Sequence, residues 1–251
     1  MKLESMTSPD VNALSRDTLV VMPVASLEQH SDHLPVYTDT MIAQECADRL
    51  DARLVDQILT LPVLWLGYSQ HHMRYAGTIS ASSETHLAMM FEIVESMVSH
   101  GFKRFLIVNT HGGNEANIAV LLQRVMTNLE NITVVACTPY SGPNESAIEA
   151  IQEAGAKGSG HGGETETSMI LHLAPNTVKP DLFHIDGQSA WPTVKGIKTY
   201  QRMDQRTSKG AIGDSRAGTA EKGSRFFDAC TENLALICEA ILNDTLYDTN
   251  K

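Results

Sequence analysis

The sequence predicts an α/β fold with a mainly parallel sheet covered by helices on both faces. Short, continuous apolar runs of strand length recur along the chain, and longer stretches with helical apolar spacing lie between them. No repeat, low-complexity tract or obvious linker interrupts the alternation. At 251 residues, 42% of them hydrophobic, the chain has material for one sizeable core, so residues 1–251 are read as a single domain.

The elements follow in order. Thr18 to Val24 is an apolar run without alternation, which suits a strand buried on both faces. Met41, Ile42, Cys46 and Leu50 share one helical face. A second stripe, Leu87, Met90, Phe91, Val94, Met97 and Val98, is closed by Gly101 just beyond a helix end. Arg104 to Asn109 and Ile132 to Cys137 read as two further buried strands, and Met169 to Leu173 as part of an apolar helix. Gln188 to Thr219 lacks periodicity and is read as long loops or a peripheral excursion.

Composition narrows the function classes. Nineteen basic against thirty acidic residues leave a net charge of −11, which opposes phosphate backbones and anionic lipid and excludes nucleic acid and membrane surfaces as partners. A metal ion or a small cationic or neutral substrate fits better. Cys46, Cys137, Cys230 and Cys238 are scattered, with no C-x-x-C pair, so neither a zinc finger nor a disulfide framework is indicated. No stretch approaches the ~18 uninterrupted apolar residues of a membrane span, and Met1 to Asp10 has no apolar core of a targeting signal. A cytoplasmic location is expected.

Chemistry-bearing residues gather in four places. Ser26 to Pro35, followed by Thr38-Asp39-Thr40, comes just after the first strand. There Glu28 and His30 are two apart and point the same way from an extended backbone, while Asp39 arrives near a helix start. Zinc and manganese take oxygen and nitrogen donors of these kinds, although a polar turn at an acidic helix start explains the spacing equally well. Asn109 to Glu115 puts His111 at the carboxyl end of the strongest strand, where open α/β sheets place ligands.

Gly158 to Ser168 holds His161 with Glu164 and Glu166 around a helix start. Its glycines match G-x-G-x-x-G literally, but the residues before them resemble a helix end and not a strand, so dinucleotide binding is rejected. Carboxylates two apart on a helix diverge, so at most one of Glu164 and Glu166 faces a common site with His161. Ser69 to Thr78 is a polar loop that would pass as solvated surface by itself.

Together these segments resemble the creatininase family of metal-dependent amidohydrolases. The resemblance rests on Glu28-Gln29-His30-x-x-His33-Leu34-Pro35-x-x-Thr38-Asp39, on Asn109-x-His111-Gly112-Gly113-Asn114, and on His161-Gly162-Gly163-Glu164-x-Glu166-Thr167-Ser168. Weaker matches are Ala76-Gly77-Thr78 and Gly213-Asp214 with Ala220 to Gly223, and the whole spans Val20 to Gly223. It implies a three-layer α/β/α sandwich, a homo-oligomer with a hexamer favoured, and two divalent metal ions per chain, zinc and/or manganese with iron possible. Carried over, Glu28, Asp39 and His111 are ligands of one metal and His30 and Asp39 of the other, with Asp39 bridging. The name-giving enzyme has a glutamate where this chain has Gly113, and Glu164 is expected to replace it; Glu166 is the second choice and a candidate catalytic group. His161 matches the family's catalytic histidine, which passes a proton to the leaving group.

The implied activity is hydrolysis of a C–N bond in a small cyclic amide or formamide by a metal-activated water. Of the loop residues His71, His72, Arg74 and Tyr75 that could read substrate, His72 and Tyr75 are taken as candidates, with Thr78. The tryptophan- and tyrosine-lined slot of creatininase proper has no counterpart, since Lys157 and Gly112 stand at corresponding places and no tryptophan lies between Trp65 and Trp191. Ser31-Asp32 replaces the family's usual Gly-Pro. Alternatives within the family are a ring-opening C–C hydrolase acting on an oxidised cyclic polyol of keto-inositol type, and a peptidase trimming a small precursor peptide. A non-catalytic scaffold is disfavoured, because every matched position keeps a metal-competent side chain.

Overall fold

The structure is a computed structural model that describes residues 1–155, 158–187, 196–197 and 199–247. Lys157, Trp191 and part of the stretch from Gln188 to Thr219 therefore lie outside the described residues. Its centre is a four-stranded parallel sheet of β1 (Leu19–Val24), β2 (Ile58–Thr60), β3 (Arg104–Asn109) and β4 (Thr133–Cys137), in the order β2-β1-β3-β4. The register aligns Leu19 with Ile58 on one side and with Arg104 on the other, and Arg104 in turn with Thr133. Strands β1 and β3 are the expected ones, and β4 starts one residue later than the apolar run. The three-residue β2 was not anticipated, because a run this short carries no period of its own.

Successive residues of β1 face opposite sides and so divide the core in two. Leu19 and Val21, with Leu106 and Val108, pack against one set of helices: α2 (Thr38–Arg53), α5 (Glu145–Glu149), α6 (Glu164–Leu173) and α7 (Ala220–Leu242). Val20, Met22 and Val24, with Phe105 and Ile107, pack against α3 (Ser83–Ser99) and α4 (Glu115–Asn128). This is the three-layer sandwich. A short α1 (Ser8–Ala13) lies at the start of the chain. Helix α2 buries Ile42, Cys46 and Leu50, as its spacing predicts. Helix α3 opens with Ser82 Oγ accepting from Thr85 N–H at 3.1 Å and is followed by Gly101 at φ +92°.

The weakly periodic stretch before α7 holds a two-residue antiparallel pair, β5 (Ile185–Asp186) with β6 (Gly213–Asp214). Cys46, Cys230 and Cys238 are buried and Cys137 half-buried, all unpaired. No helix among the described residues is long and apolar enough to cross a membrane.

The chain leaves β1 for β2 on one side and reaches β3 on the other, so β1 and β3 flank a crevice at their carboxyl ends. The loops after those two strands carry Glu28 with His30, and His111.

Candidate metal centre

Asp39 stands in the first turn of α2, where the helix amino end favours a carboxylate. Its two oxygens face two different histidines: Oδ1 lies 3.1 Å from His30 Nε2 and Oδ2 3.2 Å from His111 Nδ1. Ser26 Oγ donates to Oδ2 at 2.7 Å and fixes the carboxylate plane. Asp39, His30, His111 and Glu28 are all buried.

Glu28 Oε1 is surrounded by ring nitrogens, with His111 Nδ1 at 3.2 Å, His72 Nε2 at 3.4 Å and His161 Nδ1 at 3.4 Å. None of them approaches in hydrogen-bonding geometry, and both carboxylate oxygens of Glu28 lack a partner although fully buried. An isolated buried carboxylate without hydrogen bonds is very costly. Oxygen and nitrogen donors that crowd one point outside hydrogen-bonding geometry have the arrangement of ligands around a cation. Three such groups are Glu28, His30 and His161; Glu28, His71 and His111; and His30, Asp39 and Glu166.

The histidines are oriented from behind. His30 Nδ1 lies 3.1 Å from the Glu28 carbonyl, His111 Nε2 3.1 Å from the Tyr68 carbonyl, and His161 Nε2 2.7 Å from the Gln29 carbonyl. Each carbonyl accepts a ring proton, which leaves the other nitrogen free to face the cluster. Thr78, buried, accepts the Gln29 backbone N–H on its Oγ1 at 3.1 Å and so steadies the same loop.

The two glutamates of α6 diverge. Glu166 Oε2 sits 3.6 Å from His30 Nε2 and accepts the Gly162 N–H at 2.6 Å, at a position where Gly162 has φ +63°. Glu164 instead turns away. It is buried, accepts backbone N–H groups of Glu153 and Ala154, and pairs with Lys222 Nζ at 2.7 Å. The expectation that Glu164 closes the metal site is therefore corrected, and Glu166, the second choice, stands beside His30 and Asp39. Helical geometry divides the pair as anticipated, but Lys222 decides which side each one takes.

Burial penalises every charge here, and the neighbours decide the outcome. For His30 the carboxylates of Asp39 and Glu166 outweigh burial and push it up to about 10. His111 is driven well above the usual imidazole range against the same burial by Glu28 and Asp39. Burial likewise opposes ionisation of Glu28 and Asp39, yet His111 and His72 hold Glu28, and His30 and His111 hold Asp39, below the usual carboxylate range. Glu166 is raised to about 7 by burial, with the negative charge of Asp39 adding to it. His161 is lowered to about 3 by burial and by His30 beside it, their ring centroids 4.1 Å apart. It is thus neutral.

Cavities of about 380 and 410 Å³ flank the cluster and share His111 and His161 as walls. The first contains Glu28, His71 and His72; the second contains Asp39 and Glu166. Tyr75 is corrected: it lies outside both, its hydroxyl 3.3 Å from Thr207 Oγ1, in a third pocket with Ser31, Asp32 and Lys209. Thr78 holds backbone and lines neither cavity, and Arg74 is exposed and faces Asp204 at 3.4 Å. Gln29, Tyr200 and Arg206 were not anticipated. Gln29 carries no charge, and the other two sit in the stretch read as loops, though a Tyr and an Arg in such a stretch were the signal available.

Gly113 has a steric reason to be glycine. A Cβ there would lie 2.2 Å from His111 Nε2, 2.4 Å from the Tyr68 carbonyl oxygen and 2.8 Å from His71 Cε1. The glutamate expected in the name-giving enzyme has no room here, and the His71 ring fills the space beside it.

A family model described as creatinine amidohydrolase matches residues 4–238. The chain is 30% identical over 240 residues to the mycofactocin precursor peptide peptidase of Mycobacterium tuberculosis, covering 92% of this chain and 88% of that protein. It is 24% identical over 233 residues to the creatinine amidohydrolase of Pseudomonas putida, covering 87% and 88%. A solved creatinine amidohydrolase superposes with a TM-score of 0.77 at 23% identity, over 98% of both chains. Other solved creatininases are described as a Zn–Zn type and a manganese form.

Proposed function

This chain belongs to the creatininase family of hydrolases, and we propose on that footing that it is a dinuclear metal-dependent amidohydrolase, cleaving a C–N bond of a small amide. The observation that carries this reading is Glu28, a fully buried carboxylate whose oxygens have no hydrogen-bond partner and are ringed by histidine nitrogens.

Glu28, Asp39 and His111 would hold one divalent ion and His30, Asp39 and Glu166 the other, with Asp39 shared because its oxygens face His111 and His30 separately. The donor set suits zinc and manganese, and neither Cys nor Met takes part. Ions held there would supply Lewis acidity toward a water and toward the carbonyl under attack. Glu166, which burial and the Asp39 charge raise to about 7, would be held ionised on ligating an ion, so the proton transfer falls to His161. His161, neutral and flanked by both cavities, accepts a proton at Nδ1 and delivers it to the departing nitrogen, while the Gln29 carbonyl holds its Nε2 proton. His72, 3.4 Å from Glu28, lines the cavity in which substrate would lie.

A small-molecule substrate, a cytoplasmic location and a homo-oligomer, hexamer favoured, belong to the same proposal; light scattering tests the last. The deciding experiment measures metal per chain and mass increase by one water on cyclic amides, formamides and short peptides. Metal-dependent turnover of any of these supports the reading. A purified protein without divalent ions that gains none on incubation with zinc or manganese overturns it.

A further inference from the structure

We infer that Arg206 reads a carboxylate on the substrate, so that the amide cleaved is one carrying a free carboxylate near the scissile bond, as at the carboxyl end of a short peptide. This rests on the hydrolase reading above.

Arg206 lines the cavity that also exposes Glu28, His111 and His161, and among the described residues it is the one lysine or arginine doing so. Its Nε is buried and donates to nothing. The carboxylate nearest to it in sequence, Asp204, is taken by Arg202 at 2.9 Å and faces Arg74 at 3.4 Å. The backbone is anchored, because Arg206 closes the short helix Met203–Gln205 with its N–H on the Met203 carbonyl at 3.0 Å, and Met203 is itself buried.

The guanidinium lies close enough to His71 and Tyr200 to bear on the ionisation of both. Those two rings meet edge to face at 5.6 Å and line the same cavity as Arg206 and the histidines of the cluster. A guanidinium with an unused donor in a confined space is matched by a planar anion that accepts two parallel hydrogen bonds, and a carboxylate is the commonest such group. The cavity of about 380 Å³ is at the small end of the ~300–1,000 Å³ range of ligand pockets. It therefore suits one or two amino-acid units more than a long chain.

The test compares tripeptides ending in a free carboxylate with the same peptides amidated, for the metal-loaded protein and for Arg206→Gln and Arg206→Lys. Wild type is expected to prefer the acid by on the order of 10–100-fold in kcat/KM, the share of a charge-assisted hydrogen bond. Arg206→Gln brings the ratio to near one, and Arg206→Lys restores part of it. In parallel, N-acetylglycine and N-acetylglycinamide are compared for their effect on the unfolding midpoint. The acid should stabilise wild type and lose that effect in Arg206→Gln. Equal cleavage of acid and amide by wild type, or equal stabilisation of both proteins by N-acetylglycine, overturns the carboxylate site and leaves the hydrolase reading standing. Arg206-dependent stabilisation by the acid without cleavage of the peptides keeps the carboxylate site and overturns the peptide as its substrate, while turnover of cyclic amides and formamides decides the hydrolase reading separately.

Discussion

Lys222 Nζ donates to Glu164 Oε1 at 2.7 Å, and both side chains are buried. This ion pair joins the start of α6 to the start of α7. Removing one member of a buried pair strands the other. Glu164→Gln should therefore destabilise the protein by about 3 kcal/mol while leaving its metal content intact. Denaturant unfolding with metal analysis on the same sample checks this, and loss of metal without loss of stability would restore Glu164 as a ligand.

Glu166→Gln should do the reverse. Its oxygen lies 3.6 Å from His30 Nε2 and it has no lysine partner among the described residues. The expected outcome is metal content falling from about two ions per chain to about one, following the two-metal arrangement. Equilibrium dialysis against zinc reads the difference directly.

Asp39→Asn keeps the shape of the side chain but removes the charge shared between His30 and His111. Metal affinity should fall by more than ~10²-fold at both positions, beyond what loss of an outer partner produces. Retention of one tightly held ion would show that Asp39 does not bridge.

Position 113 offers a steric test. Restoring the glutamate of the name-giving enzyme puts a Cβ against His111 Nε2 and the Tyr68 carbonyl. Gly113→Glu should thus lower stability by ~1–3 kcal/mol and weaken metal binding rather than strengthen it. A gain in metal affinity would mean that the loop yields easily.

His86 supplies a pH dependence away from the metal ligands. It is fully buried, its Nδ1 accepts from Asn117 Nδ2 at 3.1 Å, and burial, with the charge of His111 adding to it, lowers it to about 4. The folded state therefore resists a proton that the unfolded chain takes up near 6.5. Stability from this group is present above pH 6.5 and is lost as pH falls from there toward 4, by up to ~3 kcal/mol. Urea midpoints for wild type and His86→Gln over pH 4 to 7 check it; equal slopes would place the titration elsewhere.

The strands around the crevice were legible because parallel strands buried on both faces are continuous apolar runs, and β1 and β3 carry the longest ones. Glu28, His30, Asp39 and His111 follow those strands directly, so their order along the chain already brought them together. The choice between Glu164 and Glu166 was not legible. It turns on Lys222, 58 residues further on, and spacing within one segment says nothing about a partner so far away. Tyr75 failed for a similar reason: the run Ser69 to Thr78 bends through a turn at Gln70–His72, so His72 faces inward and Tyr75 faces Thr207. Arg206 escaped notice because one arginine among several basic residues of an aperiodic stretch has no pattern to single it out.

Gln29 ties three remote parts of the polypeptide together, its side-chain amide donating to His72 Nδ1 at 2.8 Å and to the Gly210 carbonyl at 2.8 Å while its own carbonyl accepts from His161 Nε2 at 2.7 Å. His161 is 132 residues downstream and Gly210 is 181. During translation the first donors emerge long before the last, so a nascent chain that has finished β1 presents only a fragment of the cluster. Capture of the proposed ions would in consequence wait until the chain is made through Glu166, and shorter products would lack the full set of donors.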